Sequence, residues 1–121
     1  MAKLTEEARK IIGEFGPALI ATASKEGKPN VSVKGSFRVL DDEHVVFADI
    51  ASPRTMANLR ENPRLSAIVF DPATRKGCRI WGKAEILESG ELFDTISAQA
   101  ASAGRTVEHL VKVAVEEVAT F

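Results

Sequence analysis

The residues best suited to chemistry stand together in one tetrapeptide, Ser52-Pro53-Arg54-Thr55. A serine directly before a proline is a preferred helix start, because the hydroxyl caps free amides and proline's fixed φ suits the first helical position. The first N–H groups of a helix lack internal partners, and the dipole adds about half a positive charge there. Pro53 has no N–H, so the expected donors are the amides of Arg54, Thr55 and Met56. The hydroxyls of Ser52 and Thr55 and the Arg54 guanidinium can reach the same point. A phosphate monoester is bound by such a set, several donors plus a fork-shaped cation. The same four residues also describe a capped helix with an exposed arginine.

Other chemical signatures are missing. The eight glycines form neither a G-x-G-x-x-G nor a Walker loop, and there is no G-x-S-x-G elbow. The two histidines, His44 and His109, lack the close spacing of a metal pair and read as surface or strand-end residues. Cys78 beside Arg79 reads as a packed thiol.

The elements that must position the tetrapeptide follow from periodicity. Thr5 caps a first helix with Glu6 and Glu7 in its first turn and Leu4, Ala8, Ile11, Ile12 and Phe15 on one face; Gly16-Pro17 stops it. A strand over 18–23 leads to a Lys25-Glu26-Gly27-Lys28 turn. From Asn30 the period becomes two: Val31, Val33, Gly35, Phe37 and Val39 share one side, read as core, and Ser32, Lys34, Ser36 and Arg38 the other. Asp41-Asp42-Glu43 turns into a third strand over 45–50. The Ser52 helix carries Met56 and Leu59 and stops at Asn62-Pro63. Strands over 65–70 and 79–87 flank a loop at 71–77, and Ser89-Gly90 opens a third helix ended by Gly104. The segment from Val107 fits helix and strand alike, but five valines between 107 and 118 favour the strand. The prediction is mainly β (α+β): six antiparallel strands closing into a barrel, with three short flanking helices.

Composition narrows the function classes. At 121 residues, without repeat or linker, the chain is expected to be one domain, 1–121. Its 16 basic and 17 acidic side chains nearly cancel, which argues against a generic nucleic-acid or anionic-membrane binder. No apolar run exceeds four residues, so no membrane span or signal peptide is expected. A single cysteine forbids an internal disulfide and fits a reducing, cytoplasmic setting. Charge is uneven: residues 25–83 hold 11 Lys and Arg against 7 Asp and Glu, whereas residues 85–121 hold 2 against 7. A basic middle suits a small anion such as a phosphate.

Residues 27–87 resemble the flavin-binding split-barrel superfamily of pyridoxamine 5'-phosphate oxidase and the small bacterial FMN-binding proteins. In order they carry Gly27-Lys28-Pro29, the strand Val31-Ser32-Val33-Lys34, Ser52-Pro53-Arg54-Thr55, the helix end Asn58 to Pro63, the strand 65–70, and Gly82-Lys83-Ala84-Glu85. Each piece is weak alone; their order over about half the chain makes the match specific. The resemblance implies a six-stranded Greek-key split barrel and a homodimer with FMN between subunits. It implies that Arg54 and Thr55 hold the FMN phosphate with Ser52 as helper, that Ser32, Val33 and Lys34 run along the isoalloxazine ring, and that Ala48 and Asp49 lie under the ring and ribityl chain. Arg79 and Trp81 then face the neighbouring subunit's flavin. Lys34 also fits a solvated strand residue, and Trp81 barrel packing.

Gly77 and Thr55 depart from the oxidase's glutamine and lysine at those positions, and the chain ends at Phe121 without the oxidase's substrate segment, which argues against true oxidase activity. The expected function is that of a flavin-dependent oxidoreductase or electron-transfer protein acting with a small-molecule redox partner. The alternatives are a deazaflavin-dependent reductase and a non-catalytic haem- or anion-binding module on the same fold.

Overall fold

The computed structural model describes residues 1–121. Helix α1 (Glu6–Glu14) starts as its sequence requires, with the Thr5 hydroxyl accepting the Ala8 N–H at 3.1 Å. Strands β1 (Ala18–Ala23), β2 (Pro29–Lys34), β3 (Arg38–Asp41) and β4 (His44–Asp49) precede helix α2 (Pro53–Glu61). Strands β5 (Arg64–Phe70) and β6 (Gly77–Leu87), helix α3 (Glu91–Ser102) and strand β7 (His109–Thr120) complete the chain. All strands pair antiparallel in one sheet of order β2-β1-β5-β6-β7-β4-β3. The sheet is curled into a half-barrel: Ile20 on β1 and Phe47 on β4 stand far apart in that order yet share one buried cluster. Helix α1 fills the concave side with Ala8, Ile11 and Ile12. No helix is long and apolar enough to cross a membrane.

The mainly β, split-barrel expectation holds, with seven strands in place of six. The extra one comes from the alternating run after Asn30. That run breaks where the Phe37 N–H bonds back to the Lys34 carbonyl, so its two parts become β2 and β3 at opposite edges of the sheet. The break also shifts the phase. Phe37 turns inward, its ring 6.5 Å from that of Phe47, while Val31 and Val33 stay 64% and 61% exposed and Lys34 is only 8% exposed. The expectation that these two valines are core is therefore corrected: period two sets which residues share a face within a strand, but a turn between strands resets it. The ambiguous C-terminal segment is the strand β7.

Gly82 shows why one signature position is a glycine. It sits at the register shift between β6 and β7, and an added Cβ would lie 2.5 Å from Val113 Cγ1 and 2.7 Å from the Ala114 carbonyl oxygen.

On the convex side, α3 covers one half of the sheet, packing Ile96 on Val46 and Leu110. The other half is bare. Val33 lies opposite Leu19, Leu19 opposite Ile68, and Ile68 opposite Arg79, so these four share an outward face.

Candidate functional site

The loop from β4 into α2 brings the tetrapeptide to the edge strand β2. The Thr55 side chain is buried, and its Oγ1 lies 3.0 Å from Ser32 Oγ, tying the helix start to that strand. Asn58 Nδ2 donates to Thr22 Oγ1 at 3.1 Å, tying the helix to β1 as well. The Arg54 side chain stays exposed at the mouth of a hollow of about 260 Å³ that also includes Lys28, Asn30 and Asn58. Two cations and two amides around one hollow form an anion-binding donor set.

Two details differ from the sequence-based picture. Ser52 stands at the helix start but makes no side-chain cap; its hydroxyl and N–H both donate to Asp49 Oδ1, at 2.6 and 3.0 Å. An ionised carboxylate is a stronger acceptor than the amides are donors to a hydroxyl, so it wins the serine. The Met56 N–H donates to the Ser52 carbonyl at 3.1 Å, which leaves the Arg54 and Thr55 amides as the free donors.

Farther along β2, Lys34 borders a smaller hollow of about 130 Å³ with Val33, Ala48 and Arg105. Burial pushes the Lys34 ammonium below its usual pKa, and the charge of Asp49 opposes that shift. The hollow adjoins a groove of about 360 Å³ floored by apolar residues of β4 and α3, with Arg38 and Arg105 at its rim. Arg38 Nη2 donates to Gln99 Oε1 at 2.8 Å. Neither cavity is lined by an Asp or Glu.

Asp49 is 2% exposed, and its carboxylate is fully engaged within the protein. Its Oδ2 accepts the His109 Nδ1–H at 2.7 Å while Oδ1 holds Ser52. Burial alone would raise its pKa, but the Ser52 hydroxyl, His109 and the Ser52 amide together hold it below the usual carboxylate value. Ligand atoms of Asp49, Glu108 and His109 come within 4.8 Å of one another. The short Asp49–His109 hydrogen bond makes this a hydrogen-bonded network in which the imidazole's Nδ1 is a donor and not a ligand.

The structure thus gathers Ser32, Val33, Lys34, Ala48, Asp49, Ser52, Arg54 and Thr55 along β2, the end of β4 and the start of α2. Arg79 and Trp81 line none of these hollows. They lie on the bare outer face, with the Arg79 guanidinium 5.9 Å from the Trp81 ring centroid and 5.5 Å from that of Phe121. Sequence reasoning missed three residues: Lys28, Arg105 and His109. Lys28 was visible beside Gly27 and Pro29. His109 reaches the site because β7 pairs directly beside β4, and Arg105 lies in the connection from α3 into β7. Cys78, on the inner face, is buried and its pKa pushed up to about 11, which makes it inert.

A family model described as pyridoxamine 5'-phosphate oxidase matches residues 4–121. Over 68 residues the sequence is 43% identical to the uncharacterized protein MJ0282 of Methanocaldococcus jannaschii, a stretch that is 54% of this chain and 45% of that protein. The chain therefore spans under half the length of that curated relative. Among solved structures, HupZ of Group A Streptococcus is 24% identical with a TM-score of 0.90, covering 98% of this chain and 94% of its own. An FMN-binding protein of Syntrophomonas wolfei subsp. wolfei is 19% identical with a TM-score of 0.85, covering 95% and 84%. An F420 reductase is 19% identical with a TM-score of 0.70, covering 96% and 98%. These identities establish a shared fold.

Proposed function

The chain belongs to the pyridoxamine 5'-phosphate oxidase family, and from that premise we propose that it is an FMN-binding flavoprotein, an oxidoreductase or electron-transfer protein. The observation that carries this reading is the donor set at the start of α2. The Arg54 and Thr55 amides have no helical acceptor, and the Arg54 guanidinium and Lys28 stand over the same hollow. A dianionic phosphate fits that chemistry. From there β2 runs past Ser32 and Val33, as an edge strand with unpaired backbone groups for a ring's polar margin, to Lys34 and Ala48. FMN, when bound, supplies the redox chemistry; the protein orients it and sets its electrostatics. Lys34, short of a partner in a buried place, favours negative charge beside it. The groove rimmed by Arg38 and Arg105 gives room for a small anionic redox partner next to the ring.

The bare half of the outer face supports a homodimer. Exposed Val31, Val33, Phe70 and Phe121 would be buried by a second copy, which would also carry Arg79 and Trp81 toward the partner's cofactor. A deazaflavin cofactor is the second reading, supported by the F420 reductase of like fold and by the acid-free groove, which suits a more acidic cofactor tail.

A visible absorption spectrum separates FMN, deazaflavin and haem. The residue-level test is Arg54→Ala. Losing one charge-assisted bond of about 1.5–3 kcal/mol lowers FMN affinity roughly ten- to a hundred-fold. Riboflavin, which has no phosphate, keeps its affinity. Unaltered FMN binding in this variant would place the phosphate elsewhere.

A further inference from the structure

We propose that His109 is a positioning residue for the phosphate-binding end of the site: through Asp49 it fixes the segment on which α2 begins. This rests on the FMN reading above, but its cause lies in contacts independent of any cofactor.

His109 opens β7 opposite Asp49, the last residue of β4. The backbone joins the two strands there, with the Glu108 N–H donating to the Asp49 carbonyl at 2.9 Å. The side chains add a second link. The two oxygens of Asp49 are divided, Oδ1 to the Ser52 amide and hydroxyl and Oδ2 to His109 Nδ1. A carboxylate this buried cannot turn to solvent when it loses a donor, so an unfilled Oδ2 would rotate the group and pull on Ser52. Ser52 in turn supplies the carbonyl that receives the first helical N–H, that of Met56. A displaced Asp49 therefore displaces the free amides of Arg54 and Thr55.

The far edge of the imidazole reaches the same helix. His109 Nε2 lies 3.2 Å from Arg60 Nη2, in the last turn of α2, and 3.3 Å from Glu88 Oε1, which follows β6. A doubly protonated ring would direct Nε2–H at Glu88, whereas a neutral ring with its proton on Nδ1 leaves Nε2 to accept from Arg60, because a guanidinium only donates. Both forms keep the Nδ1 proton that serves Asp49. Glu88, an acceptor, competes from the other side, and Glu108 adds a further carboxylate nearby. One ring thus holds α2 at both ends, through Asp49 and Ser52 at its start and through Arg60 at its end. The hydrogen bonds that hold the Asp49 pKa down against burial express the same arrangement.

The test compares His109→Asn, His109→Gln and His109→Ala. Asparagine places an amide N–H near the position of Nδ1 and keeps the donor to Asp49; glutamine extends past it and alanine removes it. The expected result is FMN binding weakened about fivefold or more in the Ala and Gln variants, within about twofold of the parent in the Asn variant, with riboflavin little affected in all three. The Asp49 carboxyl titration, followed by carbon NMR without cofactor, should move upward in the Ala and Gln variants and return in the Asn variant. Because glutamine keeps size and polarity, it carries the test should the Ala variant fail to fold. Equal behaviour of the Asn and Gln variants, or an Asp49 titration unmoved in both, would overturn the positioning role. If the parent binds no FMN, the cofactor reading falls, and the Asp49 titration alone decides the role of His109.

Discussion

The two halves of the curled sheet share one inner core but differ on their outer faces. In β4 the five residues from Val45 to Asp49 are all buried, because the barrel core lies on one side and α3 with its Leu92, Phe93 and Ile96 on the other. In β1, β2 and β5 burial alternates, and the outward residues Leu19, Val31, Val33 and Ile68 have no helix over them. The covered half is complete within one chain and holds the Asp49–His109 network. The bare half exposes Val31, Val33, Phe70 and Phe121. A nearly continuous apolar strand marks the half covered by α3, and an alternating strand with valines outward marks the half that no helix of this chain covers.

The sharpest way to break this comparison is to open the covered half. Phe47→Ala removes a fully buried ring that stacks on Phe37, and should cost about 3–5 kcal/mol in urea denaturation. A loss under about 1 kcal/mol would show that this half does not anchor the fold. A smaller effect is expected at its rim, from Asp49→Asn. The Ser52 and His109 hydrogen bonds hold the folded pKa of Asp49 below the ordinary carboxylate value, so its contribution is full above that ordinary value and is lost as pH falls through the folded pKa. At pH 7 the variant should be less stable by about 1–3 kcal/mol, and its gap from the parent should narrow in strongly acidic buffer. A gap that stays constant down to pH 2 would remove the charge from the explanation. The smallest effect on the folded chain belongs to the bare half. Val33→Ser should alter monomer stability by no more than about 0.5 kcal/mol, because the side chain is 61% exposed. If the proposed homodimer forms through this face, the variant should nonetheless weaken self-association in sedimentation at micromolar concentration; an unchanged association would count against that proposal.

The site was legible where function rests on local chain geometry. Ser52-Pro53 announces a helix start, and Arg54 beside it an anion donor, within a few consecutive residues. The role of Ser52 was not legible, since its choice between capping amides and Asp49 depends on where a carboxylate three residues earlier points. His109 looked like an isolated strand-end residue because its partner is 60 residues away in sequence. Arg105 was a loop residue until the fold set it beside Lys34 and Ala48.

By itself the sequence determined the helix boundaries at Thr5, at Pro53 and around Gly104, tipped the valine-rich last segment toward a strand, and carried the order of short segments on which the family resemblance rests. These depend on steric and hydrogen-bonding preferences that act over a turn or two of chain. Tertiary structure decided which face of β2 points inward, how the alternating run divides between the two sheet edges, and which distant polar groups meet at Asp49. Periodicity is symmetric between the two faces of a strand. Only the burial of Phe37 against Phe47, and the closure of β7 on β4, break that symmetry.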